Sequence, residues 1–297
     1  MNMKAIKGSI VALVTPFHED GSVNFEKLRE LLDWHIEHST DGILVLGTTG
    51  ESSTMTHEED DEVAQVTIEH VNHRVPVIVG AGSNCTQTAV EKAKRYADMG
   101  ADALLMISPY YNKANKNGML QHFLQVADQV SAPIILYNVP GRTGCSISED
   151  VVAQLSKHPN ICGIKEASGS IAYAARIARY VNEDFAMYSG NDDMITSMLS
   201  LGASGVISVL ANVVPQQTHE IVASWHNGDV KKSRDLQLKY LDLIAALFCE
   251  VNPIPVKAAL NLMGMKVGGY RYPLCEMMPD TYDRLKKEME KYGLCES

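Results

Sequence analysis

Apolar positions along the chain fall into two alternating textures. Residues 10–14, 42–46, 76–79, 103–107, 133–137, 161–165, 185–189 and 204–208 form short runs that are apolar almost without a break. Unbroken rather than alternating hydrophobicity suits strands buried on both faces, as in a parallel sheet. Between these runs the period lengthens to that of a helix. Leu28, Leu31, Leu32, His35 and Ile36 share one face, as do Val63, Val66, Thr67 and His70, and Val90, Ala93 and Ala97. Gly100 and Gly202 stand directly after such stretches, where a helix stop is expected.

Eight β/α units between residue 10 and about residue 225 predict an α/β chain of the (β/α)8 TIM-barrel type. A doubly wound open sheet is the rival, but it needs a nucleotide loop after its first strand, and Thr15-Pro16-Phe17-His18 is not one. Beyond residue 228 the strand pattern ceases. Residues 231–250 read as one helix with Tyr240, Leu243, Ile244, Leu247 and Phe248 on one face. A second helix begins near Ile254, and a third runs from about Pro279 to Tyr292. The expected organisation is a catalytic barrel over residues 1–228 and a C-terminal helical region over 229–297, packed on the barrel or on another subunit.

Charge narrows the function classes. Lys and Arg number 26 against 36 Asp and Glu, a formal net charge of −10. Such a surface disfavours phosphate backbones and anionic lipid, so neither nucleic acid nor membrane is an expected partner. No apolar run approaches the roughly 18 residues of a membrane span. The run from Ile10 to Val14 is too short for a signal-peptide core and reads as a buried strand. Six scattered cysteines without a Cys-x-x-Cys pair suit a reduced, cytoplasmic chain.

Familiar cofactor signatures are missing. There is no phosphate loop and no His-Glu-x-x-His pair, and Gly80-Ala81-Gly82-Ser83-Asn84-Cys85 lacks the third glycine of a dinucleotide fingerprint. His35/His38 and His70/His73 have spacings that could hold a metal on a helix face, but both pairs fall in barrel helices away from the active rim. No metal and no cofactor are expected.

In a barrel enzyme the chemistry sits where the strands end. Those ends carry Gly47-Thr48-Thr49-Gly50-Glu51, Ser108-Pro109-Tyr110-Tyr111-Asn112, Tyr137 to Thr143, Lys165-Glu166-Ala167-Ser168, Ser189-Gly190-Asn191-Asp192, and Ser208. Lys165 is the sharpest of them, a cation closing an otherwise apolar strand. One reading makes it a structural lysine paired with Glu166 or Asp192. The other makes it an amine that attacks a carbonyl and forms a Schiff base. A free lysine titrates near 10.4, so a nucleophilic lysine needs surroundings that disfavour its charge.

Gly47-Thr48-Thr49-Gly50-Glu51, Tyr137-Asn138-Val139-Pro140-Gly141-Arg142-Thr143-Gly144, Gly163-Ile164-Lys165-Glu166-Ala167 and Asn252-Pro253-Ile254-Pro255-Val256-Lys257 together resemble the 4-hydroxy-tetrahydrodipicolinate synthase (dihydrodipicolinate synthase) family of pyruvate-dependent class I aldolases. The likeness runs in one register from about residue 6 to 294. It implies condensation of pyruvate with L-aspartate-4-semialdehyde on the way to diaminopimelate and lysine. Lys165 forms the imine, and backbone amides around Thr48 and Thr49 hold the pyruvate carboxylate. Tyr137 exchanges protons at the imine, and Thr49 and Tyr111 complete a relay to bulk water. Arg142 clamps the semialdehyde carboxylate, although Gly141-Arg142-Thr143 alone would pass for a surface turn. Gly190 and Ile207 line the pyruvate pocket.

The resemblance also implies that Tyr111 crosses a dimer interface into the partner's site, giving a homodimer at least and usually a dimer of dimers. Many relatives bind lysine at that interface, through residues matching Ser52, Ser53, His57, Asn84 and Tyr110. Thr88 stands here where sensitive members carry a glutamate, and Asp60 where they carry a histidine, so weak or absent inhibition is expected. Other functions on the same scaffold are N-acetylneuraminate lyase, a 2-keto-3-deoxy-sugar-acid aldolase, or a sensor without chemistry. Arg142 argues against the sugar-acid enzymes, and the presence of Lys165, Tyr137 and Thr49 argues against the sensor.

Overall fold

A computed structural model describes residues 6–296, so residues 1–5 and 297 of the two expected regions lie outside it. Eight strands close into a barrel: β1 (Gly8–Ala12), β2 (Gly42–Val45), β3 (Val77–Gly80), β4 (Ala103–Ile107), β5 (Ile134–Asn138), β6 (Ile161–Glu166), β7 (Ala186–Ser189) and β8 (Gly205–Ser208). Each pairs in parallel with its neighbours in sequence order, and β8 returns to β1. The pleat sorts their side chains into two cores. Ile10, Leu44, Ile78, Leu105, Tyr137, Tyr188 and Ile207 fill the interior, while Val11, Val45, Val79, Leu104, Leu136 and Ile164 pack outward beneath the helices.

Seven of the eight strand expectations lie within one residue of the observed bounds at either end. The first lies two residues upstream of its expected place, because Gly8 and Ser9 pair with Gly205 and Val206 despite carrying no apolar signal. Leu13 and Val14 are buried but leave the ladder, their N–H groups going to the Leu44 carbonyl and the Asn212 side chain.

Helices form where the longer period lies. In Phe25–Glu37 the buried residues are Leu28, Leu31, Leu32 and His35, and the Asn24 side chain caps the first turn. His57–Val71 opens with a capping box between Thr56 and Glu59. Thr86–Met99 stops at Gly100 with φ +97°. Three of the four histidines considered as ligands are engaged locally: His35 with Thr40, His38 with the Trp34 carbonyl, and His70 with Asp33.

The expected helix over 231–250 is two helices, Val230–Lys239 and Leu241–Leu247. The break falls at Tyr240, whose ring stacks on Tyr292 at 5.2 Å. The Tyr292 phenol donates to the Lys239 carbonyl at 2.7 Å, taking a group that an unbroken helix would use itself. Phe248, expected on the buried face, is the C-cap and is exposed. Ile254–Leu262 and Pro279–Glu290 follow as expected.

Tyr240, Leu243, Leu247, Val256, Leu260, Leu285 and Met289 belong to the same apolar core as the outer barrel residues, so the C-terminal helices pack on the barrel. Each such side chain, fully buried, contributes about 1.5–3 kcal/mol. Polar ties reinforce this. Arg271 donates to both Glu59 carboxylate oxygens, at 2.6 and 2.7 Å, and its hydrogen bonds hold that carboxyl below its usual range.

Barrel closure depends on a glycine pair. A Cβ on Gly205 would stand 1.9 Å from the Gly8 carbonyl oxygen, a backbone atom that the β1 ladder fixes. Gly205→Ala is therefore expected to lose at least about 2 kcal/mol of stability, read as a lower urea midpoint. Gly269→Ala, with nothing within 4 Å of the new carbon, is expected to stay within about 0.5 kcal/mol. Equal midpoints for the two variants would refute this account of closure.

Candidate active site

Strand parity determines what enters the barrel. Tyr137 on β5 and Lys165 on β6 are paired residues in the ladder, so both point inward. Among the described strand residues, only Lys165 and Glu166 are charged. As neighbours they face opposite ways, which leaves Lys165 as the one inward charge. Its ammonium lies 4.4 Å from the centre of the Tyr137 ring, and both residues are 7% exposed.

Neither proposed carboxylate pairs with it. Glu166 accepts from Asn138 Nδ2 and from the Ser168 N–H, both at 2.7 Å. Burial raises its pKa, and those hydrogen bonds oppose the rise. Asp192 accepts from the N–H groups of Val209 and Leu210 at 3.0 and 2.9 Å. Burial raises its pKa too, against the donors around it and the nearby positive charge of Lys165. Among the described residues Lys165 makes no salt bridge.

The Gly47–Glu51 turn follows β2. It is closed by Gly50 N–H to Gly47 carbonyl at 3.0 Å and by Glu51 N–H to Thr48 carbonyl at 3.2 Å, with Glu51 in the left-handed region at φ +56°. The hydroxyl of Thr15 donates to the Gly50 carbonyl at 2.6 Å. Among the described residues the N–H groups of Thr48 and Thr49 have no acceptor, so two adjacent donors are available to an anion.

The two threonines have different surroundings. Thr48, Gly47 and Tyr137 line a cavity of about 330 Å³. Thr49 is not among its walls, and its oxygen accepts from Asn252 Nδ2 at 3.0 Å. Thr49, the residue the sequence nominates for the relay, is thus tied to Asn252, while Thr48 shares the cavity wall with Tyr137. Arg142, in the short helix Pro140–Thr143, is exposed and donates to the Asn252 carbonyl at 3.0 Å. The Gly190 N–H donates to the Glu166 carbonyl at 2.7 Å, and a Cβ there would lie 2.5 Å from that of Ala167. Ile207 shares the barrel-interior core with Tyr137.

Tyr111 is 91% exposed with φ +67°, and it reaches none of these groups within its own chain. The same cavity extends from Tyr137 to Ser52, Ser53, His57 and Tyr110, four of the five residues nominated for a second ligand site. The fifth, Asn84, is not a wall residue, and its carbonyl accepts from Asn112. Asp60 and Thr88 do line the cavity, but Asp60 is engaged by Lys92 at 2.7 Å, a buried pair.

Sequence reasoning assigned no role to Asn252 or Lys257. Lys257 lies in an apolar helix segment and is wholly buried, its ammonium 2.7 Å from Glu51 Oε1 and 4.1 Å from the Phe17 ring centre. Burial lowers its pKa, and the charge and hydrogen bond of Glu51 oppose that. The one signal available was a lysine amid Ile254-Pro255-Val256 and Ala258-Ala259-Leu260.

Comparison with known proteins agrees with this fold. The Dihydrodipicolinate synthetase family matches residues 5–292. A 4-hydroxy-tetrahydrodipicolinate synthase of Thermoanaerobacter sp. (strain X514) is 52% identical over 293 residues, 98% of each chain. The chloride-inhibited dihydrodipicolinate synthase from Acinetobacter baumannii, solved with pyruvate, is 42% identical with a TM-score of 0.95, covering 98% of this chain and all of that one. The enzyme from Cyanidioschyzon merolae, solved with lysine bound, is 38% identical with a TM-score of 0.94, covering 97% of this chain and 99% of that one. With the eightfold barrel, the inward lysine and full-length identity in agreement, this chain belongs to the dihydrodipicolinate synthetase family.

Proposed function

We propose that the chain condenses pyruvate with L-aspartate-4-semialdehyde to give 4-hydroxy-tetrahydrodipicolinate, a lyase reaction of lysine and diaminopimelate synthesis. The observation that carries the mechanism is Lys165, an inward amine beside Tyr137 with no carboxylate of the described residues at ion-pair distance. The names of the most similar relatives favour this reaction over the sugar-acid aldolases.

The Lys165 amine attacks the pyruvate ketone, and loss of water leaves an imine. Removal of a methyl proton gives the enamine, whose carbon attacks the aldehyde and turns its oxygen into the hydroxyl. The amino group of the semialdehyde then attacks the imine carbon, closing the ring and expelling Lys165 as the free amine. The free N–H groups of Thr48 and Thr49 suit the pyruvate carboxylate, and Arg142 suits that of the semialdehyde, since a planar fork binds a carboxylate through two bonds. Gly190 and Ile207 bound the pyruvate end.

Tyr137 moves protons at the imine. A phenol is a slow acid near neutrality, so it needs a hydrogen-bonded chain. Thr48 is better placed than Thr49 to continue that chain, because it shares the cavity wall with Tyr137. The last member is Tyr111 from a second subunit. An aromatic side chain 91% exposed at a left-handed position favours that reading, and with it a dimer at least, assembled as a dimer of dimers. The six unpaired cysteines suit the cytoplasm.

Borohydride reduction in the presence of pyruvate is expected to leave a reduced pyruvyl adduct on Lys165, read by peptide mass. An undiminished adduct in Lys165→Ala would refute the assignment. For the shared site, Tyr111→Phe and Tyr137→Phe are each expected to lose most activity, and mixed dimers of the two to regain part of it. No recovery in a verified mixed dimer would place Tyr111 elsewhere.

Regulation gives a third expectation. An incoming lysine ammonium would meet Thr88 rather than a glutamate, and Asp60 is already engaged by Lys92. A hydrogen bond to a charged group is worth roughly 1.5–3 kcal/mol. Half-inhibition by L-lysine is therefore expected only above about 0.5 mM, a binding free energy weaker than about −4.5 kcal/mol. A lower value in a steady-state titration would overturn it.

A further inference from the structure

We infer that Asn252 is a positioning residue that sets the spacing between the two carboxylate-binding groups of the site. It arrives from outside the barrel and is 6% exposed. Its side-chain amide donates to Thr49 Oγ1 at 3.0 Å, and its backbone carbonyl accepts from Arg142 Nη2 at 3.0 Å. One residue thus touches the turn that presents the Thr48 and Thr49 amides and also the guanidinium across the rim.

Its own place is fixed. The Lys257 N–H donates to the Pro253 carbonyl at 3.1 Å, and five residues after Asn252 the Lys257 ammonium reaches Glu51 at the far end of the same turn. The segment therefore grips the turn at two points. The inference rests on the pyruvate–semialdehyde reading. In that reaction the enamine carbon must face the aldehyde carbon while each substrate is held by its carboxylate. The distance between the two anchors then decides the approach, and a misplacement of about 1 Å costs on the order of 100-fold in rate. The Thr49 bond also has a direction. The Thr49 oxygen accepts from Asn252 Nδ2, which ties the Thr49 side chain to that residue.

Asn252→Ala and Asn252→Asp test this in the full-length enzyme, with steady-state kinetics for both substrates, thermal melting and borohydride trapping with pyruvate. The expected result is a rise of at least fivefold in KM for pyruvate and for the semialdehyde together, with Tm within a few degrees of wild type. A lower Tm or active fraction with both KM values unmoved would make Asn252 merely structural and overturn the inference. Thr49→Val removes the acceptor alone and covers the case in which the Asn252 variants do not fold. It is expected to raise the pyruvate KM at least fivefold and leave the semialdehyde KM within twofold. An unchanged pyruvate KM there overturns the inference. So does a Thr49→Val/Asn252→Ala double variant whose pyruvate effects multiply, because the two residues would then act independently. A wild-type enzyme that forms no pyruvyl adduct would overturn the reaction as well, whereas a normal adduct with unmoved KM values overturns the positioning role alone.

Discussion

The site depends on a buried ion pair. Lys257 and Glu51 have no exposed side-chain surface and meet at 2.7 Å. Removing two charges from water costs several kcal/mol per ion, and their mutual attraction offsets this only where geometry and further contacts are good. The further contact is the Phe17 ring, 4.1 Å beneath the ammonium. What this arrangement secures is conformation. Glu51 occupies the left-handed region, which is unfavourable for a side chain with a Cβ. Its carboxylate is anchored in the C-terminal region, at the end of the Gly47–Glu51 turn whose Thr48 and Thr49 amides have no acceptor among the described residues. The C-terminal helices therefore complete the site as well as covering the barrel.

Much of this was legible in the chain. A parallel barrel buries both faces of each strand, so its strands announce themselves as unbroken apolar runs, and a cation at the end of one of them is conspicuous. Lys165 was found on that signal. The first strand began earlier than its apolar run because Gly8 and Ser9 join the ladder for steric and hydrogen-bonding reasons that hydropathy does not record. The break at Tyr240 escaped notice because its cause, the Tyr292 phenol on the Lys239 carbonyl, comes from 53 residues away.

The candidate residues could be nominated from the sequence, but their hydrogen bonds could not. Which of two adjacent threonines faces the cavity follows from backbone angles at Leu46 and Glu51, both left-handed, and no side-chain pattern encodes them. Asn252 and Lys257 act on partners 203 and 206 residues distant. Their motif could be quoted from the sequence, but its physical task could not. Local periodicity reports burial; it does not report which buried polar groups find each other.

Three lysines show how the fold treats a buried amine according to its use. Lys257 meets Glu51 and Lys92 meets Asp60, each at 2.7 Å. A carboxylate at that distance holds each of these two amines in place. Lys165 is also buried, yet Glu166 accepts from Asn138 and Ser168, and Asp192 accepts the N–H groups of Val209 and Leu210 on one oxygen, Oδ2. Among the described residues Lys165 is the one of the three amines with no carboxylate at ion-pair distance, which sets it apart from the two paired lysines.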